Sequence, residues 1–399
     1  MKIGVDVRAL QEGHRFRGIG VYLTNLLKTL SRIDNHNEYI LYQWPGTSIA
    51  MQLELNDKFQ ARQLSHPSSK PIGRRVKNRL SREIAIDPDQ VDVFFQPNPS
   101  YGLPKGNIKT VCVLHDVIPF LFRQQYFPST VAAIRAGHTS KQFVVTKLNK
   151  WLYGWQLRQI ARATRVISIS QSSKNDFLNN FPSVPDNSIT VIPLACDPKY
   201  QPVTQFADML DKFDIRQPFL LYVGGIDFRK NVASLLTAYE QLPEASKPQL
   251  VLVGNDFDPQ NEILEARQLF AQFPRLAGSG QVVRIGFVSV QDLAALYSST
   301  TALIFPSLYE GFGITILEAM SCGCPVVAYR NSSIPEVAED AALLLDRNEN
   351  LTSVLGRILK DNELRQDLKR SGLIQAKKFS WKATAEKTLR VLEEVSFLQ

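Results

Sequence analysis

Residues 219–242 read FLLYVGGIDFRKNVASLLTAYEQL, and this stretch indicates how the second half of the chain folds. Apolar and aromatic residues at 219–223 predict a buried strand, and Gly224 and Gly225 follow it directly. From Val232 onwards, apolar residues recur at helical spacing. A strand, a glycine-bearing turn and a helix are how a Rossmann-like domain begins.

The first half of the chain opens in the same way. Residues 2–7, KIGVDV, lead through Gly18-Ile19-Gly20 into the helical pattern VYLTNLLKTLSRI at 21–33. Further strand-like runs alternate with helical patterns at 38–43, 91–96, 109–116, 163–170, 249–255, 282–287, 301–307 and 324–330. Such alternation predicts parallel sheets covered on both faces by helices. The fold class is therefore α/β, with two Rossmann-like domains.

Composition agrees with a two-domain globular chain. The 399 residues are 44% hydrophobic and 21% charged, which permits large cores and does not suggest long disorder. Three prolines, Pro193, Pro198 and Pro202, cluster without periodicity and predict the domain boundary. We expect an N-terminal domain at 1–198, a C-terminal domain at 199–378 and a closing helix at 379–399.

The N-terminal decapeptide MKIGVDVRAL carries charged residues where a signal peptide would need an apolar core. The sequence has no apolar run of membrane-spanning length, so we expect a cytoplasmic protein. The four cysteines fit a reducing compartment, and the Cys-Gly-Cys at 322–324 lacks the second ligand pair of a zinc site. They are interpreted as free thiols.

Charge is distributed unevenly along the chain. Residues 1–200 contain 26 Lys and Arg against 14 Asp and Glu, a net charge of +12, whereas residues 201–399 contain 20 against 24, a net charge of −4. This asymmetry suggests that the first half faces an anionic partner, such as a membrane surface, a lipid phosphate or nucleic acid. A scattered, solvated basic surface explains it equally well.

Residues 301–328 read TALIFPSLYEGFGITILEAMSCGCPVVA and predict a strand, a turn and a helix with two acidic residues. Glu310 precedes the turn, and Glu318 lies about one turn into the helix. Their carboxylates are therefore expected to reach opposite ends of one elongated ligand. The turn between them consists of Gly311, Phe312 and Gly313.

The turn and the helix start also suit a phosphate group. Glycines let the backbone approach a ligand closely, and the N–H groups of Ile314 and Thr315 open the helix. The alternative is purely structural: Glu310 caps the helix and Glu318 lies on its solvated face.

Two glutamates separated by seven residues around a Gly-Phe-Gly turn resemble the signature of the family-four, or group 1, retaining glycosyltransferases, which have the GT-B fold. The resemblance implies two Rossmann-like domains facing each other across a cleft, with the acceptor on the N-terminal side and the nucleotide-sugar donor on the C-terminal side. It implies that Glu310 meets the donor sugar and that Glu318 binds the ribose hydroxyls. It also implies that the closing helix packs on the first domain.

Other segments match the family pattern in part. Arg229 and Lys230, in GGIDFRKN at 224–231, resemble the pair that binds the diphosphate, where they would neutralise charge on the leaving group. Taken alone, an Arg-Lys pair in a turn is more often a solvated loop. Gly18 and Gly20 resemble a glycine loop facing the donor phosphates, although Leu23 occupies the third glycine position of the dinucleotide fingerprint.

A histidine and a turn complete the predicted site. His115 and Asp116 follow a buried strand in VLHDVIP, at the sheet edge where open α/β folds bind ligands. The resemblance implies that His115 contacts the donor sugar; a structural histidine is the alternative. Asp116 would orient the imidazole or bind the acceptor. The backbone near Gly286 and Phe287 is expected at the nucleotide base.

Two Asp-x-Asp triplets, at 87–89 and 256–258, resemble the metal-binding carboxylates of the other main class of glycosyltransferases. That class has a single nucleotide-binding domain and lacks the Arg-Lys and Glu-x7-Glu arrangement. Both triplets are therefore interpreted as turn residues, and we expect catalysis with neither a metal nor another cofactor.

Two basic stretches, at 72–83 and 146–165, combine Lys and Arg with apolar residues at helical spacing, and the loop at 117–128 adds apolar side chains. Such segments are typical of contact with an anionic membrane, although ordinary amphipathic helices have the same pattern. We therefore expect attachment to the inner face of the cell membrane as one hypothesis.

The sequence thus predicts a metal-independent retaining hexosyltransferase that acts on a glycan or lipid-linked acceptor in surface polysaccharide assembly. Family habit favours UDP-glucose as the donor, with GDP-mannose next. An inactive nucleotide-sugar-binding module is the alternative. A nucleic-acid partner is not expected, because no recognition motif accompanies the basic half.

Overall fold

The computed structural model describes residues 1–12, 18–64, 91–104, 106–128, 140–276 and 278–398. Backbone contacts divide the chain into two compact units. The N-terminal unit comprises residues 1–194 and 381–399, and the C-terminal unit comprises residues 195–380. The chain passes from one to the other inside the proline-containing segment 192–206.

The described residues of the N-terminal unit form a seven-stranded parallel sheet in the order β3-β2-β1-β4-β5-β6-β7. The strands are β1 Lys2–Asp6, β2 Glu38–Gln43, β3 Phe59–Gln63, β4 Val93–Gln96, β5 Thr110–Leu114, β6 Arg165–Ser168 and β7 Ile189–Val191. The helices are α1 Gly18–Ile33, α2 Ile49–Gln52, α3 Ile118–Leu121, α4 Arg123–Tyr126, α5 Ser140–Arg162, α6 Gln171–Asn180 and α15 Trp381–Phe397. Every residue of β4 and β5 is buried, as expected for strands covered on both faces.

The last helix, α15, belongs to the N-terminal unit. It packs against α1 and against β4, β5 and β6. Its buried face includes Ala385, Leu392 and Val395, each less than 2% exposed. Trp381 opens the helix, and its ring centroid lies 6.1 Å from that of Tyr22 on α1. The chain therefore ends by covering the first sheet rather than the second.

The described residues of the C-terminal unit form a six-stranded parallel sheet in the order β10-β9-β8-β11-β12-β13. The strands are β8 Phe219–Val223, β9 Gln249–Val253, β10 Val282–Ile285, β11 Ala302–Phe305, β12 Val326–Tyr329 and β13 Leu343–Leu345. The helices are α7 Ala207–Lys212, α8 Val232–Glu240, α9 Leu264–Ala271, α10 Val290–Ser299, α11 Ile314–Ser321, α12 Ile334–Ala338, α13 Leu351–Lys360 and α14 Asn362–Ala376.

Both sheets have doubly wound topology, which confirms the predicted pair of parallel-sheet Rossmann-like domains. The direction of strand order reverses between β1 and β4 in the first sheet and between β8 and β11 in the second. Open α/β sheets bind ligands outside the carboxyl ends of the strands at such a reversal. Within the described ranges, every helix is too short or too polar to cross a membrane.

Candidate functional site

The turn after β8 presents two cations at the reversal point of the C-terminal sheet. Residues Phe228–Lys230 form a single 3-10 turn, and Asn231 follows in the left-handed conformation (φ 55°, ψ 36°). Asp227 accepts a hydrogen bond from the Arg229 backbone N–H at 3.1 Å, and its carboxylate lies 3.3 Å from Arg229 Nε. The turn is thereby folded so that Arg229 and Lys230 both point towards the loop after β11.

The loop after β11 carries Glu310, whose backbone is held on both sides by serines. The Glu310 N–H donates to Ser332 Oγ at 2.9 Å, and Ser333 Oγ donates to the Glu310 carbonyl at 2.9 Å. Glu310 is only 8% exposed. The backbone of Glu310 is therefore held in place, and its side chain is shielded from water.

Glu310 lies between the two cations. Arg229 Nη1 contacts Glu310 Oε2 at 2.9 Å, and Lys230 Nζ contacts Glu310 Oε1 at 2.6 Å. Arg229 Nη1 also donates to the Tyr309 carbonyl at 3.2 Å. Burial alone would raise the pKa of Glu310, but Lys230 and Arg229 outweigh it and hold that pKa below its ordinary value. The sequence motifs around 229 and 310 thus meet in one ionised cluster.

Glu318 on α11 has a different environment. Its carboxylate accepts a hydrogen bond from Tyr297 Oη at 3.2 Å, and Tyr200 also bonds to it. Burial raises the pKa of Glu318 to about 7, and the hydrogen bonds from the two tyrosines only partly offset that cost. Both glutamates differ from the purely structural alternative. Glu318 is half-buried rather than on a solvated face. Glu310 pairs with cations rather than capping the helix.

The turn that opens α11 offers backbone rather than side chains. Gly313 occupies the N-cap position with φ 93°, a left-handed conformation that favours glycine, and Ile314 and Thr315 begin the helix. Phe312 is 5% exposed and packs edge-to-face on Phe379, with ring centroids 6.0 Å apart. Of the predicted donor-binding residues here, Phe312 and its neighbour Gly311 are buried.

The loop after β10 contains the residues expected at the nucleotide base. The Phe287 side chain is 78% exposed. Gly286 lies against the loop after β9, because a Cβ atom there would come within 3.1 Å of Asp258 Cβ. Phe287 is therefore available to stack on a planar ligand group, whereas Gly286 allows two loops to pack closely.

Both carboxylates of the second Asp-x-Asp triplet make turn hydrogen bonds. Asp256 Oδ2 accepts from the Ile226 N–H at 2.9 Å. Asp258 accepts from the Gln260 N–H at 2.9 Å and from Asn261 Nδ2 at 2.8 Å. The first triplet, at 87–89, and the basic stretch at 72–83 lie outside the described residues.

His115 belongs to the N-terminal unit, at the carboxyl end of β5. Its Nε2 lies 2.9 Å from the Pro97 carbonyl, and its ring packs edge-on against Tyr22, with centroids 5.6 Å apart. Burial lowers the pKa of His115 to about 4, so the ring is neutral at pH 7. Because a carbonyl only accepts, we assign the proton to Nε2, which makes Nδ1 an acceptor. The neighbouring Asp116 accepts from the Ile118 N–H at 2.9 Å, at the first residue of α3.

Gly18 and Gly20 also belong to the N-terminal unit. They form the first turn of α1 rather than a loop before it, because the helix begins at Gly18 and not at Val21. Gly18 is exposed and Gly20 is buried. Helical glycines at the start of a helix leave its N–H groups accessible to an anion.

The sequence motifs did not include a buried ion pair at the reversal point of the first sheet. Arg8 and Asp6 are each about 1% exposed and are joined at 2.6 Å. Gln96 Nε2 donates to Asp6 Oδ2 at 3.0 Å, and the Arg8 guanidinium lies 4.3 Å from the Tyr101 ring centroid. The signal was available, since Asp6 and Arg8 interrupt an apolar run just where the first strand ends.

Two family profiles cover most of the chain. The profile described as "Glycosyl transferases group 1" matches residues 210–375, and that described as "Glycosyltransferase Family 4" matches residues 16–200. Among curated proteins, the chain is 28% identical to an O-antigen chain mannosyltransferase B of Escherichia coli, over 93% of this chain and 94% of that protein. It is 31% identical to a serotype-specific mannosyltransferase WbdA of Escherichia coli over 78% of this chain, but spans only 38% of that longer protein.

Solved structures resemble the whole chain. A sucrose-phosphate synthase from Thermosynechococcus elongatus superposes with a TM-score of 0.71 at 19% identity, covering 99% of both chains. WaaG, a glycosyltransferase involved in lipopolysaccharide biosynthesis, superposes with a TM-score of 0.64 at 19% identity, covering 98% of this chain and 99% of that one. At this identity the likeness concerns the fold.

Proposed function

Because the chain belongs to the family-four, group 1 glycosyltransferases, which are retaining hexosyltransferases of GT-B fold, we propose that it transfers mannose from GDP-mannose to a hydroxyl of a lipid-linked glycan. The product would be a growing surface polysaccharide. The observation that carries the proposal is the cluster of Arg229, Glu310 and Lys230 at the carboxyl ends of β8 and β11, in which Glu310 is buried and both cations are partly buried.

The choice of sugar follows the relatives. Sequence-based reasoning favoured UDP-glucose, but the relatives named above are described as mannosyltransferases, and one of them aligns along almost the entire chain. We therefore place GDP-mannose first and UDP-glucose second. An O-antigen relative also supports a glycan acceptor.

Arg229 and Lys230 would stabilise the departing diphosphate. As the bond from the anomeric carbon to the diphosphate oxygen breaks, negative charge grows on that oxygen, and two cations already in place need no reorganisation to neutralise it. The N–H groups of Ile314 and Thr315 would add a helix N-terminus. The acceptor oxygen bonds to the anomeric carbon on the same face, and its proton passes to a departing phosphate oxygen. No metal is required in this scheme.

The carboxylates would serve different parts of the donor. Glu310 stays ionised and rigid, so it suits a hydrogen bond from a sugar hydroxyl beside the reacting carbon. Glu318 would accept hydrogen bonds from the ribose hydroxyls. His115, with Nδ1 as an acceptor, would take a hydrogen bond from a substrate hydroxyl.

We also propose that the enzyme works at the cytoplasmic face of the membrane, where a lipid-linked acceptor would be presented. Trp151 and Val144 on α5 are 49% and 64% exposed, in the half of the chain with net charge +12. Exposed apolar side chains beside basic ones favour contact with anionic lipid. Flotation with anionic vesicles at low salt tests this, and failure to float would refute it.

Nucleotide release tests the reaction. Wild type, Glu310→Gln and Glu339→Gln are incubated with GDP-mannose, UDP-glucose and ADP-glucose, with and without EDTA. Glu339 is the matched control because it also pairs with a lysine, Lys378, at 2.7 Å. We expect GDP release that survives EDTA and Glu339→Gln but is lost in Glu310→Gln. Release abolished by EDTA would refute the metal-free scheme. Donor binding by calorimetry without release, even with glycan acceptors, would instead support the nucleotide-sugar-binding module.

A further inference from the structure

Asp256 is a carboxylate that neither the family signature nor the proposed chemistry uses. It lies in the loop after β9 and is half-buried. Its Oδ2 accepts a hydrogen bond from the Ile226 N–H at 2.9 Å. Ile226 is three residues before Arg229 and four before Lys230, in the same short turn. The contact therefore joins one loop of the sheet edge to the segment that carries both cations.

The backbone around this contact is shaped to admit the carboxylate. A Cβ atom at Gly225 would lie 2.6 Å from Asp256 Oδ2, closer than real Cβ contacts come. A Cβ atom at Gly254 would lie 2.0 Å from the Gly224 carbonyl oxygen. Asp256 thus occupies the space that a side chain at 225 would fill, and the two backbones approach this closely only with glycine at 254.

Two further hydrogen bonds hold the turn at 224–231 in place. Tyr222 Oη donates to the Gly225 carbonyl at 2.7 Å. The Leu308 N–H donates to the Arg229 carbonyl at 2.6 Å, which ties the far end of the turn to the loop that holds Glu310. Asp256 holds the near end. Without it, the Gly224-Gly225 pair would leave that end with the most flexible backbone in the segment.

We propose that Asp256 is a positioning residue: by bonding the Ile226 N–H through the gap left by Gly225, it sets the placement of Arg229 and Lys230 against the diphosphate. This rests on the proposed function. Displacements of about 1 Å at a reacting group cost up to roughly a hundredfold in rate, so the expected effect is on turnover. Asp256 acts through the turn and touches no substrate.

The test of this proposal compares three single variants, Asp256→Ala, Asp256→Asn and Gly225→Ala. A double variant that carries both Gly225→Ala and Asp256→Ala is measured beside them. Asp361→Ala is the matched control, since Asp361 is also a half-buried aspartate that accepts a backbone hydrogen bond, from the Leu364 N–H at 2.9 Å. The readouts are kcat and KM for nucleotide release and hydrogen–deuterium exchange of residues 224–231.

We expect Asp256→Ala to lower kcat on the order of ten- to a hundredfold, with KM for the donor changed by less than about threefold. Asp256→Asn keeps an acceptor oxygen and should retain most of the activity. Gly225→Ala should be impaired alone, yet add little to Asp256→Ala, because removing the carboxylate makes room for the new methyl group. Exchange at 224–231 should rise in Asp256→Ala and not in Asp361→Ala.

Three results would overturn the proposal. Wild-type kcat in Asp256→Ala would show that the contact does not matter for turnover. Equal loss in Asp256→Asn and Asp256→Ala, together with sensitivity to EDTA, would identify Asp256 as a metal ligand instead. Unchanged exchange at 224–231 would show that the turn holds its shape without Asp256. This last readout needs no activity, so it tests the positioning role even if wild type releases no nucleotide and the proposed function fails.

Discussion

Replacing Glu318 with glutamine should stabilise the C-terminal unit while weakening nucleotide binding. Burial raises the pKa of Glu318 from an ordinary 4.5 to about 7. The folded protein therefore holds this proton more tightly than the unfolded chain, and wild-type stability falls as pH rises from 4.5 to 7. Each pKa unit corresponds to about 1.4 kcal/mol. The raised pKa of Glu318 therefore lowers the stability of the folded protein by about 3 kcal/mol at pH 8 and by under about 1 kcal/mol at pH 5, relative to a pH at which both states are protonated.

Glutamine has nearly the same size and still accepts a hydrogen bond from Tyr297, but carries no charge. Glu318→Gln should therefore exceed wild type in stability at pH 8 by somewhat less than 3 kcal/mol, since the amide also loses hydration. For a unit of this size, about 1 kcal/mol shifts the melting temperature by roughly 2–4 °C. We expect a gain of roughly 5–10 °C at pH 8 and little at pH 5. Glu339→Gln should show no such gain.

The same variant tests the ribose role. A hydrogen bond to a charged group contributes about 1.5–3 kcal/mol, so GDP should bind Glu318→Gln about ten- to a hundredfold more weakly at pH 8. Wild-type affinity should fall below pH 7 as Glu318 takes up its proton, and the variant should not follow. Scanning calorimetry from pH 5 to 8 and GDP titrations provide both measurements. A stability difference that does not change with pH would refute the burial argument, and unchanged GDP affinity would refute the ribose role.

Three further predictions concern single residues. His115 has a pKa of about 4 against an ordinary 6.5, so the unfolded chain takes up this proton at a higher pH than the folded protein. Between pH 7 and 4, wild type should therefore lose about 3 kcal/mol more stability than His115→Gln, measured by urea unfolding. Equal losses would refute the burial of His115 as a neutral ring. Lys230→Met should lower kcat about a hundredfold in kinetic assays while weakening GDP binding no more than about tenfold by calorimetry. An equal fold loss in kcat and in GDP affinity would contradict the role of Lys230 at the transition state. Gly313→Ala should destabilise the protein by roughly 1 kcal/mol because of its φ of 93°, and an unchanged melting temperature would rule out that constraint.

The strands that sequence patterns indicated are the central ones of each sheet and one edge strand, β10. In β1, β4, β5 and β8 nearly every residue is buried, so apolar runs identify them reliably. The patterns omitted β3, β7 and β13, which lie at sheet edges. β3, FQARQ, has four exposed residues out of five, and β7 and β13 are only three residues long. Edge strands form because a neighbouring strand offers hydrogen bonds, and the local sequence pattern does not indicate that neighbour.

Three of the predicted site residues lie together because local chemistry and position in the topology coincide. Arg229, Lys230 and Glu310 each follow a buried strand, and parallel strands bring their carboxyl ends to one edge. Their direct contact depends on which strands are adjacent: β8 and β11 pair although about 80 residues separate them. The Phe312 ring is buried against Phe379, a contact that its motif did not indicate.

Sequence alone determined the class of fold and its division into two halves, because strands buried on both faces and glycine-bearing turns have recognisable local patterns. It also predicted the residue types of the proposed diphosphate and sugar site. Tertiary structure alone decided the electrostatics. Whether a glutamate stays ionised like Glu310 or gains a pKa of about 7 like Glu318 depends on neighbours from distant segments. The role of Asp256 in holding the turn likewise depends on the space beside Gly225, and that space exists only because two loops pack together.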